Sequence, residues 1–401
     1  MKIDHVHFIV DNAPQQREWF IHCLGWESIG QRQLPDRAIE VLRYRDTAFV
    51  LTSPRTPDSP VAIYLQTYSP GIVDVAIEVD NLAAFTSRPH APPSIQTPYQ
   101  TDIALISEIV TGGRAIAPPI SICTAGWGRL HHTIIERPAS KLSHQSIHQT
   151  VHQTAHQASS QTIPKTAHGQ DIDHIVLNVA KGDLPAAVDF YQKGWGLQPR
   201  QSFKIQTEHS GLNSQVLCAP ETQLYFNINE PTSANSQIQT FIEANRGAGI
   251  QHIALHSDPI VPTVTALRQR GTPLLSVPPA YYRQLEQRLR TRCSVPIQMQ
   301  EWQQIVQQQI LLDWQPEEPD ALLLQIFSQP IFKDNHFFFE FIERRQAVKG
   351  FGEGNFLALY RAIEEEMLQA AASSASSVNI NRSGQRLAEE AVSKSLVRDA
   401  S

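Results

Sequence analysis

Among the 401 residues of this chain, His174, His252 and Glu340 are the ones whose types could do chemistry together. Two neutral imidazoles and one carboxylate on one face of an octahedral ion leave three adjacent positions open, the donor set of non-haem Fe(II) oxygenases. A bidentate substrate and O2 would fill those positions. Long stretches of chain separate the three residues, so each is expected on a strand of its own. In a strand, residues at i, i+2 and i+4 share a face. His174 then lies with Ile172, Val176 and Asn178, His252 with Ile250, Ala254 and His256, and Glu340 with Phe338 and Ile342. Each candidate ligand points into a mostly apolar concavity, where a carboxylate is costly unless paired or metal-bound. The same alternation turns Gln251 away from His252.

A lone histidine on an apolar strand is more often a hydrogen-bonded core residue than a ligand. What singles out these three is an internal duplication. Ile3-Asp4-His5-Val6 recurs as Ile172-Asp173-His174-Ile175, followed by the aromatic pairs Trp19-Phe20 and Phe190-Tyr191 and by the turns Leu24-Gly25-Trp26 and Gly194-Trp195-Gly196-Leu197. Further on, Gly71-Ile72-Val73-Asp74-Val75-Ala76-Ile77 aligns with Gly249-Ile250-Gln251-His252-Ile253-Ala254-Leu255. His131-His132-Thr133-Ile134-Ile135-Glu136-Arg137 aligns with Phe338-Phe339-Glu340-Phe341-Ile342-Glu343-Arg344. The first copy therefore reads His5, Asp74, Thr133 where the second reads His174, His252, Glu340. Only the second is a two-histidine, one-carboxylate set.

The remaining sequence bounds the possibilities. A chain of this length suits two or three domains with sizeable cores, and a net charge of −6 gives no basic footprint for nucleic acid. Cys23, Cys123, Cys218 and Cys293 form no CxxC spacing, which suits a reducing compartment. No signal peptide or membrane-length apolar run is evident, so a soluble cytoplasmic protein is expected, with no membrane partner. Residues 141–170 are rich in Gln, His, Ser and Thr, with His-Gln recurring every four residues from His144 to Gln157. On a helix this would be a drifting histidine stripe able to bind metal weakly; short tandem duplication in an exposed linker explains it without function. The expected division is 1–140, linker 141–170, 171–370 and tail 371–401. The tail opens Ser/Ala-rich, closes with a short amphipathic segment at 385–397, and is assigned no role. The loop Gly350-Phe351-Gly352-Glu353-Gly354-Asn355-Phe356 lacks the Lys-Ser/Thr ending of a phosphate-binding loop and has no Rossmann-type unit around it.

Together, Ile172-Asp173-His174-Ile175-Val176, Gly249-Ile250-Gln251-His252-Ile253-Ala254, Leu322-Leu323-Leu324-Gln325-Ile326-Phe327, the Glu340 segment and the Gly350–Phe356 loop closely resemble the 4-hydroxyphenylpyruvate dioxygenase family of the vicinal oxygen chelate superfamily. The resemblance implies an α+β fold of two domains. Each would be built from paired βαβββ modules forming an open barrel, with Fe(II) held by His174, His252 and Glu340 in the second, usually in a homodimer or homotetramer. It implies Ser214 and Asn229 beside a small-molecule 2-oxo acid substrate, Gln237, Gln251 and Gln325 as amides near the ring and its hydroxyl, and Phe327, Phe338 and Phe356 walling the ring. Gln325, Phe338 and Asn355 would act closest to the chemistry, and the glycine loop would feed a lid helix at 357–369. Asn227 departs from the family's usual proline, which puts the pocket's shape there in question. The implied reaction joins 4-hydroxyphenylpyruvate and O2 to give homogentisate and CO2, in tyrosine breakdown or in prenylquinone and tocopherol synthesis. Hydroxymandelate synthase is the nearest alternative, with Asn229 and Phe338 favouring the dioxygenase. Against ring-cleaving extradiol dioxygenases stand Gln325-Ile326-Phe327 and the glycine loop, and against a metal- or drug-binding protein stands the intact triad.

Overall fold

The computed structural model describes residues 1–97, 102–112, 119–137, 171–206, 210–219, 224–290, 297–315, 318–332, 335–346 and 348–355. The histidine repeat, Phe356, the expected lid helix and the tail all lie outside the described residues.

Two domains are present, each a curled mixed β-sheet. The first contains β1 (Lys2–Ile9), β2 (Glu27–Gln33), β3 (Arg37–Tyr44), β4 (Thr47–Pro54), β5 (Gly71–Glu78), β6 (Ile120–Ala125) and β7 (His131–Glu136), in the order β2-β3-β4-β1-β5-β7-β6. The second contains β8 (Ile172–Asn178), β9 (Gln198–Gln206), β10 (Gly211–Ala219), β11 (Leu224–Pro231), β12 (Gly249–His256), β13 (Leu311–Gln315), β14 (Glu318–Phe327) and β15 (Phe338–Arg344), in the order β13-β14-β15-β12-β8-β11-β10-β9.

Each domain opens with the same unit: a strand, a helix (Ala13–Trp19 or Leu184–Trp195), then three antiparallel strands whose last lies parallel beside the first. In both copies the helical stretch is closed by a glycine at φ 72°, Gly25 and Gly196. That left-handed cap strains any residue with a Cβ, which accounts for glycine recurring in the duplicated turn. In the second domain the unit repeats as β12-β15-β14-β13, so two four-stranded halves meet at the antiparallel β8/β12 seam. In the first domain the repeat is shorter. Beyond β6, the place of a fourth strand is taken among the described residues by the single bridge Ser94–Thr124.

The sheets pack with aromatic residues between them. Phe8 meets Phe337 at a ring separation of 5.3 Å, and Trp26 meets Phe339 at the same distance. Alternation that sends Phe339 into this shared core sends Glu340 to the opposite, concave face. β8 and β12 are buried along their whole lengths because one face meets the other domain's core and the other faces the concavity. No described helix is long and apolar enough to cross a membrane.

Candidate metal centre

Strand register brings the three candidate ligands together. Tyr225, His174, Ala254, Glu340 and Phe327 form one row across the second sheet, while Val216, Asn227, Val176, His252 and Phe338 form the next. His174 and Glu340 thus flank Ala254 while His252 sits one step along. One donor atom from each of the three lies within 4.8 Å of the others. Glu340 Oε2 is 3.4 Å from His174 Nε2 and 3.6 Å from His252 Nε2. All three residues are buried, and none of these three facing atoms has a hydrogen-bond partner. Buried polar atoms are normally satisfied, so three such atoms aimed at one point fit a metal ion.

The surroundings prepare each ligand. His174 Nδ1 donates to Asp173 Oδ1 at 2.7 Å, which holds the proton on Nδ1 and leaves the Nε2 lone pair toward the centre. Asp173 is in turn gripped by a two-pronged Arg344 guanidinium, at 2.6 Å and 2.8 Å. Burial opposes ionisation of Asp173, but Arg344 and His174 together bring its carboxyl well below the usual range. Burial likewise disfavours a charged His174, yet the Glu340 and Asp173 carboxylates raise it to about 9, so protons compete with a metal at Nε2. His252 is pushed well below its ordinary value by burial and by His174 beside it, which keeps it neutral and able to ligate. Its ring stacks on Phe338 with centroids 4.7 Å apart. Gln325 Nε2 donates to Glu340 Oε1 at 2.6 Å, leaving Oε2 as the oxygen that faces the histidines.

Next to His252 a cavity opens between Val176, Phe203, Leu212, Asn227, Asn229, Gln237, Ile238, Gln251 and Phe338. It gathers four residues expected at a substrate: Asn229, Gln237, Gln251 and Phe338. Gln251 corrects the alternation reading, for the β8/β12 register shifts between Ile250 and His252 and the resulting bulge lets Gln251 and His252 line the same cavity. Ser214 sits opposite Asn229, its hydroxyl buried and unpartnered. Phe327 lies behind Phe338, edge to face at 5.9 Å. Gln325, another expected substrate amide, is fully buried beside the candidate ligands, its amide bonded to Glu340 and to Asn355 Nδ2 at 2.8 Å. Gly352, at φ 71°, passes so close to Gln325 that a Cβ would collide with its amide oxygen, so glycine is required there.

Sequence reasoning missed the Arg344–Asp173 grip, although its signal was present: Asp-His and the distant arginine recur in the first copy as Asp4-His5 and Arg137. It also missed Asn178, whose two amide atoms are buried without partners, and Tyr281, which donates to Asn355 Oδ1 at 2.8 Å.

Residues 171–292 match the profile of the Glyoxalase/Bleomycin resistance protein/Dioxygenase superfamily. The chain is 30% identical over 378 residues to the 4-hydroxyphenylpyruvate dioxygenase of Caenorhabditis elegans, covering 90% of this chain and 91% of that one. It belongs to the 4-hydroxyphenylpyruvate dioxygenase family. The dioxygenase of Sus scrofa is 29% identical over 90% of both chains. An uncharacterized protein of Synechocystis is 33% identical over 91% of this chain and 97% of its own length. Among solved structures, a triply substituted 4-hydroxymandelate synthase from Streptomyces coelicolor superposes with a TM-score of 0.67 at 23% identity, covering 91% of this chain and 99% of that one, which shows the shared fold. As a dioxygenase of this family, the chain carries His174 and His252 within the matched residues and Glu340 beyond them, all three on strands of the second sheet.

Proposed function

We propose that this chain binds Fe(II) through His174, His252 and Glu340 and converts 4-hydroxyphenylpyruvate and O2 to homogentisate and CO2. The observation that carries the reading is the convergence of three buried, unpartnered metal donors beside an amide-rimmed cavity. The bound ferrous ion would supply adjacent open positions at which decarboxylation of the 2-oxo acid is coupled to reduction of O2. One oxygen atom enters the new acetate carboxylate and the other enters the ring, whose side arm shifts to the neighbouring carbon.

The chain's own residues set the geometry. Asp173 holds the proton on His174 Nδ1, and Gln325 occupies one oxygen of Glu340. Asn229, Gln237 and Gln251 offer amides that can donate and accept, which suits a phenol hydroxyl without adding a charge to a dry pocket. Ser214 stands beside Asn229, while Phe338 and Phe327 wall the ring, with Phe356 assigned the same task. Asn355 closes the metal end through Gln325. On this reading the protein works in the cytoplasm as a homo-oligomer, with a small 2-oxo acid and O2 as its only required partners.

The test loads metal-free protein with Fe(II) under anaerobic conditions, adds 4-hydroxyphenylpyruvate, admits O2, and separates the aromatic products while recording oxygen uptake. Homogentisate formed in step with oxygen is the expected result. Hydroxymandelate would retain the triad and reassign the reaction to the synthase. Iron-loaded protein that forms neither product would overturn the proposal.

A further inference from the structure

Beyond the ligands, an unbroken line of hydrogen bonds runs from Glu340 to a residue with no other evident part in the site. Glu340 Oε1 accepts from Gln325 Nε2 at 2.6 Å, Gln325 Oε1 accepts from Asn355 Nδ2 at 2.8 Å, and Asn355 Oδ1 accepts from the Tyr281 hydroxyl at 2.8 Å. The direction of every bond follows from one end. An ionised carboxylate only accepts, so Gln325 must present its NH2 to Glu340 and its oxygen to Asn355. Asn355 must then present its NH2 to Gln325 and its oxygen to Tyr281. The Tyr281 hydroxyl has one proton and spends it on Asn355, while its oxygen accepts from the Leu312 backbone N–H at 2.9 Å. Leu312 O, 3.1 Å away, is the more distant of the two acceptors within reach. Burial pushes the Tyr281 phenol well up from its usual value, so the proton is always there to give.

The line has a chemical consequence. With Oε1 held by Gln325, Glu340 has only Oε2, which has no hydrogen-bond partner, to turn toward His174 and His252. A carboxylate fixed in this way binds an ion through one oxygen. If it were free to rotate it could present both, and would take one of the positions that a bidentate substrate and O2 need. We propose that Tyr281 is a positioning residue which, through Asn355 and Gln325, holds Glu340 as a one-oxygen ligand and keeps the third coordination position open. The inference rests on the metal-site reading above but extends it to a helix, Pro279–Arg290, that contributes no ligand.

Removing the hydroxyl in Tyr281→Phe leaves Asn355 Oδ1 buried without a donor and frees both amides to turn. A change in a group that orients a ligand typically costs 10–100-fold, so kcat is expected to fall at least about tenfold, with KM for the 2-oxo acid altered much less. A readout independent of turnover is the visible absorption of the Co(II)-loaded protein, whose bands report coordination number. The bands should shift in Tyr281→Phe and shift in the same way in Asn355→Ala. Because Tyr281 also touches Leu312, the double variant separates the two roles. If Tyr281 acts through Asn355, adding Tyr281→Phe to Asn355→Ala costs nothing further in kcat. Unshifted Co(II) bands in Tyr281→Phe, or losses that multiply in the double variant, would overturn the inference while leaving the triad intact. Wild-type protein that takes up no Co(II) would overturn the triad, and this inference with it.

Discussion

The two sheets hold the same frame around different contents. In the first, Asp74 pairs with His7 across β1/β5 and with His131 across β5/β7; in the second, His252 pairs with Val176 and Phe338 at the matching places. His5 bonds Asp4 at 2.8 Å as His174 bonds Asp173 at 2.7 Å, and Arg137 reaches Asp4 as Arg344 reaches Asp173. The orienting pair of aspartate and arginine therefore belongs to the duplicated fold and does not mark a metal site. Two things separate the halves. Asp74 is consumed by Thr133, accepting from its backbone N–H at 2.9 Å and from its hydroxyl, whereas Glu340 Oε2 is left without a partner. The first concavity is also filled. Ile103, Ile106 and Ile109, from the helix Ile103–Thr111, pack on Ile39, Val41, Val50 and Ala76, where the second sheet keeps a cavity.

The largest expected contrast is between the ligands and their counterparts. Glu340→Gln should fold yet lose bound iron and more than about a hundredfold in turnover, since even residues one bond removed from a metal cost 10–100-fold. Thr133→Val at the matching position should change neither, as metal analysis and oxygen uptake would report. A full complement of iron in Glu340→Gln would break the contrast.

The frame itself should matter to stability in both halves and to metal in one. Asp173→Asn removes the charge that neutralises the largely buried Arg344, a change that costs about 3–5 kcal/mol, and should weaken metal binding. Asp4→Asn should cost less, because Arg137 keeps partial access to water, and should leave metal content alone. Burial pushes the Asp4 carboxyl up, but His5 and Arg137 outweigh it and bring it from the ordinary aspartate value of 3.8 down to about 2. A folded-state pKa below the unfolded one stabilises above the unfolded value, so about 2 kcal/mol should be present above pH 4 and lost as pH falls toward 2. Thermal melts of wild type and Asp4→Asn across that range should converge at the acid end. Parallel curves would deny Asp4 its role.

Emptying the plug sharpens the comparison further. Ile106→Ala should cost about 2–5 kcal/mol, as truncations in well-packed cores do, and should do so without creating a second metal site, because Asp74 remains bonded to Thr133. Urea unfolding combined with metal analysis tests both halves of that statement. The smallest effect expected is at Asn227, whose amide oxygen is buried at the cavity wall without a partner. Asn227→Leu should alter KM for the 2-oxo acid by roughly fivefold, the size of about 1 kcal/mol in one hydrogen-bonding group, with kcat and metal content unchanged.

What the sequence made legible was the part carried by repetition and alternation. The three aligned segments became β1/β8, β5/β12 and β7/β15, and alternation placed His174, Val176 and Asn178 on one face. Alternation failed at Gln251, and also at Ile250 and Ile172, expected beside His252 and His174 but turned to the other face, since each of the two β8/β12 register shifts adds a residue without any change in composition to announce it. The run around Gln325 read as buried, but its bond to Glu340 joins two strands whose register no local pattern states. Tyr281 and Ile106 gave no signal at all, for each is an ordinary residue of an amphipathic helix and takes its meaning from what the helix lies against. The readings of the histidine repeat, Phe356, the lid helix and the tail fall outside the described residues.

The central claim is that one half of a duplicated frame holds metal and the other cannot. Its most direct test counts iron atoms per chain in Fe(II)-loaded, exhaustively dialysed protein, comparing wild type with His252→Ala and His5→Ala. One tightly held iron is expected in wild type and in His5→Ala, and none in His252→Ala. A second tightly held iron that disappears in His5→Ala, or iron retained in His252→Ala, would contradict it.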